Sequence, residues 1–300
     1  MKAVDLFQPK NRFWKTRADG DRGANMMIIA QEKQILLAKW QKLLSVLAAY
    51  RKCAVCFSGG VDSGVLLYAA HCALGENVLA LSCDSVALGR QDRLDIEKFI
   101  QQYHISHNWV EFLPLQIPEV RENPSLRCYY CKGAMLDRLW TAARAYGYGI
   151  LLEGSNLDDL SDDRPGYRQV RAKGLFSPLE MIGFTKDEIY QLSEWFGLPM
   201  AGKPASACLM SRIASGEPIK KNILEKIDKG EQFLKTKGFS VVRIRYKQGI
   251  ARIEVEQEKV PLLLADSLWP EIKEYLYFLG FNQVVVEQNG YLKGGKKQHR

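Results

Sequence analysis

Between Cys53 and Leu152, short apolar runs alternate with amphipathic helical patterns, and no other feature limits the fold of this chain so tightly. The apolar runs are 53–57, 78–83, 108–112 and 149–152, and helical spacing fills 63–74, 90–103 and 129–146 between them. Strands separated by helices return to the same end of the sheet and pair in parallel, which requires helices over both faces. The expected class is therefore α/β, a parallel sheet covered on both sides. Upstream, Ile35, Leu36, Trp40, Leu43, Leu44 and Leu47 recur at helical spacing and predict a helix over 32–50.

After Leu152 the chain turns loop-rich, with a helix expected near 186–196 and a second irregular stretch over 197–218. From Ile219 the pattern changes to a helix reaching about Lys237, a hairpin of 241–246 and 250–256 around Gln248 and Gly249, more helix to Leu279, and a strand over 281–286. That reads as a smaller C-terminal α+β domain. The expected organisation is a flexible extension at 1–26, the α/β domain at 27–216, the α+β domain at 217–290 and a basic tail at 291–300.

The net charge of +8 invites a nucleic-acid reading, so its distribution matters. Residues 1–25 carry +3 and residues 291–300 carry +4, which leaves +1 for everything between. A nearly neutral body argues against a phosphate-tracking groove, so a nucleic-acid partner is not expected. The chain is 47% hydrophobic and 25% charged, which excludes a largely disordered polymer. No apolar run approaches the roughly 18 residues of a membrane span, and a cytoplasmic protein is expected.

Seven cysteines, an odd number, do not read as a disulfide framework. Cys53, Cys56, Cys72 and Cys83 fall in apolar stretches and read as packing residues. Cys128, Cys131 and Cys208 lie in polar surroundings, the first two in Arg127-Cys128-Tyr129-Tyr130-Cys131-Lys132 at the start of a helix. The helix N-terminus and the flanking cations should favour thiolate there. Structural packing, a redox pair and metal ligation all remain open for the pair. The third thiol, in Ala207-Cys208-Leu209-Met210-Ser211-Arg212, favours ligation, because three thiolates suit an iron-sulfur cluster with one open iron.

The strongest single motif is Ser58-Gly59-Gly60-Val61-Asp62-Ser63, placed where a buried strand ends and a helix begins. Two glycines allow close backbone approach and positive φ, and the exposed amides with the helix N-terminus form an anion cradle. The GK[ST] ending of a Walker loop is missing, so a cradle for released pyrophosphate fits better. The plain structural alternative is a tight turn capped by Ser58.

This motif resembles the pyrophosphate loop of the N-type ATP pyrophosphatases. That likeness implies an adenine nucleotide alpha hydrolase-like fold, ATP and Mg²⁺ as cofactors, phosphate contacts from Ser58, Gly59, Gly60 and Ser63, and Asp62 near the metal. Asp84 and Ser85, at the end of the next strand, are expected near adenosine, or else form an ordinary strand-end turn. Taken with the RCYYCK segment, Glu153-Gly154-Ser155-Asn156 running into Asp158-Asp159, Arg164-Pro165-Gly166, Ser177-Pro178-Leu179 and ACLMSR, the chain resembles the LarE family of ATP-dependent sulfur transferases from about Glu32 to Val286.

The family implies adenylation of a carboxylate of pyridinium-3,5-biscarboxylate mononucleotide and its conversion to a thiocarboxylate for the nickel-pincer nucleotide cofactor. It also implies a small-molecule mononucleotide substrate, a sulfide source and a homo-oligomer. The three thiols match the family form in which Cys128, Cys131 and Cys208 would hold a 4Fe-4S cluster, with Cys208 as the catalytic position. Arg243 and Arg245 share one strand face and, with Ser211 and Arg212, read as a clamp for the substrate's phosphate. The alternative pairs them with Glu254 and Glu256 as a solvated ladder. Glu231 would approach the sulfur site by family analogy, whereas its sequence position reads as a surface glutamate. A tRNA thiolation enzyme of the same superfamily and a non-catalytic nucleotide- or cluster-binding sensor are the rival readings.

Overall fold

The computed structural model describes residues 22–160, 165–203 and 207–291. Helix α1 (Arg22–Ala49) precedes a four-stranded, wholly parallel sheet built from β1 (Cys53–Cys56), β2 (Val78–Asp84), β3 (Ser106–Glu111) and β4 (Leu151–Leu152) in the order β3-β2-β1-β4. Helices α2 (Val61–Leu74), α3 (Arg90–Tyr103), the short α4 (Pro118–Arg121) and α5 (Arg127–Ala145) fall between the strands. Helix α1 starts well before Glu32, so residues 22–26, expected within the extension, are helical; 1–21 lie outside the described residues, as does the tail from 292.

The chain divides into two compact units, the first comprising 1–84, 92–112 and 132–205. In it, Leu36, Trp40, Leu43 and Leu47 of α1 are buried, and so are Val65, Leu66 and Leu67 of α2. Ring contacts run from Trp40 through Phe196 and Tyr68 to Tyr103, Phe99 and Phe57, tying α1, α2 and α3 together. A separate apolar cluster packs Leu136, Leu139 and Ala143 of α5 against Ala54, Leu79, Leu81 and Leu151 of the strands. Each fully buried leucine contributes about 1.5–3 kcal/mol relative to exposure, so two such layers make this sheet the rigid part of the unit. Helices α6 (Pro165–Ala172), α7 (Pro178–Ile182) and α8 (Lys186–Trp195) complete it, α8 opened by a Thr185/Glu188 capping box.

The strand order has one consequence for function. From β1 the chain winds outward through β2 to β3, then returns to place β4 on the other flank of β1. The direction of winding reverses between β1 and β4, and the crevice at their carboxyl ends is where an open parallel sheet receives ligands.

Cys53, Cys72 and Cys83 of this unit have thiol pKa values pushed up to about 12 by burial, and Cys56 is pushed higher still. These thiols stay protonated, in keeping with packing residues. His107 on β3 has a buried Nε2 without a hydrogen-bond partner, and burial lowers its pKa from 6.5 to about 4. The folded state thus binds fewer protons than the unfolded chain between pH 6.5 and 4, so stability is full above that window and is lost as pH falls through it. Thermal melting between pH 7 and pH 4 should show this slope, and His107→Phe should flatten it.

The second unit comprises 85–91, 113–131 and 206–300. Helix α9 (Lys221–Thr236) leads into antiparallel β5 (Val242–Lys247) and β6 (Ile250–Val255); after the short α10 (Val260–Leu263) and α11 (Trp269–Phe278), β7 (Gln283–Val286) joins β6 in parallel. Register Lys247↔Ile250 leaves a two-residue turn in which Gln248 (φ 48°) and Gly249 (φ 84°) are both left-handed, the twist that suits a tight hairpin. Ile223, Leu224, Ile227 and Leu234 of α9 pack with Val242, Ile244, Ile253, Leu276 and the distant Val120 in one core. Among the described residues, no helix is long and apolar enough to cross a membrane.

Candidate functional site

Glycine conformation shapes the loop after β1. Gly59 has φ +77°, and a Cβ there would stand 2.9 Å from Cγ1 of Ile96, so conformation and space both require glycine. Helix α2 is capped by Gly60 with no side-chain hydrogen bond, which leaves its first-turn amides open to a ligand. The plain alternative of a turn capped by Ser58 is therefore not what the loop adopts. The Ser58 hydroxyl instead lies 3.1 Å from that of Ser63, and Ser63 Oγ donates to the Gly60 carbonyl at 3.1 Å, bracing the loop from inside.

The segment after β4 closes on this loop. A Cβ on Gly154 would come within 2.9 Å of the Ser63 amide nitrogen, so the two chain segments touch backbone to backbone. Asn156 Nδ2 donates to Asp62 Oδ1 at 3.1 Å, and Lys186 at the start of α8 bonds the other Asp62 oxygen. Asp62 is thus half-buried and held from two sides. Buried Glu153 accepts from the Ser155 amide (3.0 Å) and hydroxyl (2.9 Å) and from Ser177 Oγ, which stiffens the strand end.

Lys186 is a functional candidate that motif reasoning missed. A Walker loop carries its lysine in the motif itself, whereas here the cation arrives from a helix 124 residues on. The only local signal is Thr185-Lys186-Asp187-Glu188, a capping box that fixes a helix start and hence where Lys186 points. Asp84 pairs with Arg93, whose guanidinium lies 4.2 Å over the ring of Trp109, and the Ser85 hydroxyl accepts the Ala87 amide at 3.2 Å.

In the second unit the thiols and arginines lie among shared contacts. Cys128 is exposed on the first turn of α5, Cys131 follows one turn later, and Cys208 is exposed just before a 3-10 turn at Leu209–Arg212. The Arg127 guanidinium donates to Cys128 Sγ at 3.4 Å. Although the residue as a whole is exposed, desolvation by the atoms crowded around its sulfur raises the Cys208 pKa; the Met210 amide, Arg127 and Arg212 pull it down, and Cys128 pushes it up, so the two thiols are within electrostatic reach. Three thiols are the right donors in kind for an iron-sulfur cluster. Among the described residues no three His, Cys, Asp or Glu side chains gather closely enough to hold a metal ion, so the thiols are not a ready-made ligand set.

Glu231 departs from the surface position expected of it. It is buried, chelates Arg212 through 2.8 and 3.1 Å bonds, and accepts the Ile244 amide at 2.9 Å, because α9 turns this face into the core. Arg212 also donates to the Ala207 carbonyl at 2.7 Å. Arg245 bonds Glu254 at 2.9 Å and the Ser211 carbonyl at 3.0 Å. Arg243 is buried, lies 5.3 Å from the Tyr291 ring centre, and has its pKa lowered by burial and by Arg212. The ladder alternative holds for Arg245 and Glu254, whereas Glu256 binds the Ser240 hydroxyl and the Val241 amide.

No family model matches the chain. Over 260 residues it is 33% identical to the uncharacterized protein slr1717 of Synechocystis, covering 87% of this chain and 97% of the relative. The chain belongs to the slr1717 family. It is also related, at 26% identity over 86% of its length and 94% of the relative's, to the pyridinium-3,5-bisthiocarboxylic acid mononucleotide synthase of Lactiplantibacillus plantarum. A third relative, MJ0830 of Methanocaldococcus jannaschii, is 26% identical over 59% of the chain and 68% of its own length. The kinship of this slr1717 family member with a named synthase makes the loop and the thiols the two places to seek chemistry.

Proposed function

We propose that the protein is an ATP-dependent sulfur transferase that adenylates a carboxylate of pyridinium-3,5-biscarboxylate mononucleotide and converts it to a thiocarboxylate, a step in nickel-pincer nucleotide cofactor synthesis. The observation that carries the reading is the cradle of Gly59, Gly60, Asp62 and Lys186 at the sheet's winding reversal, in a chain related over most of its length to a synthase named for such a product.

The carboxylate oxygen attacks the α-phosphorus of ATP, and pyrophosphate leaves. The amides of the first turn of α2 would receive its charge and Lys186 would add a cation, and Asp62 would hold Mg²⁺, which when bound supplies further positive charge to the phosphates. The mixed anhydride makes the acyl carbon electrophilic and AMP a good leaving group, so a sulfide sulfur adds, AMP departs and the C–S bond remains. Cys128, Cys131 and Cys208 would have to draw closer than they stand here to hold a 4Fe-4S cluster, which when bound supplies an exchangeable sulfide. Arg245, the more exposed guanidinium, with Ser211 would bind the substrate's phosphate, for which a planar fork is suited, while Arg212, enclosed with its fork on Glu231 and the Ala207 carbonyl, and buried Arg243 would brace that turn.

The test is to incubate the full chain with ATP, Mg²⁺, sulfide and the biscarboxylate mononucleotide under anaerobic conditions. Substrate-dependent pyrophosphate release and a product in which sulfur replaces one oxygen are expected. Release of neither pyrophosphate nor AMP would overturn the reading. Within this scheme Lys186→Met and Asp62→Asn should each lower the rate of pyrophosphate release about 10²-fold, as loss of one transition-state charge contact does, while melting shifts little because the pair is partly exposed.

A further inference from the structure

Two chain segments carry the polar-context thiols, 113–131 and 206–219, and one guanidinium joins them. Arg127 Nη1 donates at 2.8 Å to Asn123 Oδ1 and at 2.8 Å to the Met210 carbonyl, while Nη2 donates to Cys128 Sγ at 3.4 Å. Asn123 is itself an anchor. It is buried with φ +56°, and its Nδ2 donates to the Ala214 and Glu217 carbonyls at 2.7 and 3.0 Å. The Gly216 amide returns to the Asn123 carbonyl at 2.8 Å, and the Ile219 amide to that of Arg121 at 2.7 Å.

We propose that Arg127 is a positioning residue whose guanidinium fork ties the start of α5 to the Cys208 turn and so sets the separation of Cys128 from Cys208. The fork reaches three acceptors on two segments at once, which a point charge on a flexible stem cannot do. Arg212 on the Ala207 carbonyl and Arg245 on the Ser211 carbonyl grip the same turn from its other residues, whereas among the described residues Arg127 is the guanidinium that bonds both this turn and the thiol-bearing helix. Arg127 alone among these three therefore bears on the distance between thiols. The meaning of that distance rests on the sulfur-transfer reading; the bracket itself does not.

The experiment uses the full chain without added cluster or substrate. Amide hydrogen exchange would follow Leu209, Ser211 and Ile213, and a short bismaleimide would report Cys128–Cys208 cross-linking by peptide mapping, in wild type, Arg127→Ala and Arg127→Lys. Loss of the charged hydrogen bonds should speed exchange in the turn about tenfold and lower the cross-link yield severalfold. Exchange in α2 should stay unchanged. Arg127→Lys should not restore either signal, since it keeps the charge and loses the fork.

Wild-type exchange and cross-linking in Arg127→Ala would overturn the proposal, as would full rescue by lysine, which would make charge the cause. If the alanine variant does not fold, the lysine variant decides by the same two signals. Should wild type make no thiocarboxylate while both signals still change, the synthase reading falls and the bracket stands.

Discussion

Cys208→Ala protein should release pyrophosphate from ATP in the presence of the mononucleotide at close to the wild-type rate, yet form no thiocarboxylate. The phosphate cradle lies in the first unit and Cys208 in the second, so the substitution leaves the adenylating residues intact. If the three thiols act together, Cys128→Ala and Cys131→Ala should lose most iron and sulfide as well, since two thiolates hold a cluster poorly. Wild type reconstituted anaerobically should then turn over more than once per chain, with no change in intact mass. A chain left lighter by the elements of hydrogen sulfide at Cys208 after one turnover would show that the cysteine surrenders its own sulfur.

The second large effect concerns stability. Glu231→Ala should destabilise the protein by about 3–5 kcal/mol, because it strips the carboxylate from a buried guanidinium and leaves the charge uncompensated. The pair is almost wholly enclosed, with 3% and 5% side-chain exposure, so solvent screening offers little relief. A fall of about 10 °C in melting temperature is expected at that cost. Glu231→Gln keeps the acceptor for the Ile244 amide and should lose less. A melting curve for Glu231→Ala that overlays wild type would contradict the geometry of this pair.

Much of the fold is legible in the sequence because its elements are specified locally. The helix read over 90–103 is α3 to the residue, and the hairpin about Gln248 and Gly249 has the turn that its glycine announces. What escaped notice depends on contacts between remote segments. Glu231 is one charged residue on an amphipathic helix until Arg212, 19 positions earlier, is brought beneath it. Lys186 looks like an ordinary first-turn lysine until the winding reversal brings α8 to the loop. Residues 85–91 and 113–131 carry no local mark of membership in the second unit; Val86 and Ala87 packed on its core, Val120 within that core and Asn123 across its loops reveal it. The glycine loop and the three polar-context thiols were visible as residue types at fixed spacing, whereas the side chains that brace them were not.

The dispersed make-up of the second unit governs how the protein can be born. Its early pieces leave the ribosome long before α9, β5, β6 and β7 exist, and Val120 cannot be enclosed until those elements are synthesised. Translation at about 5–20 residues per second thus imposes a delay of several seconds during which Cys128 and Cys131 are carried by an unfinished structure. A fragment beginning at 206 would lack Val120 and Asn123 and should express as an aggregation-prone species. Oxidative damage in the cell should accordingly fall most heavily on nascent chains, at Cys128 and Cys131.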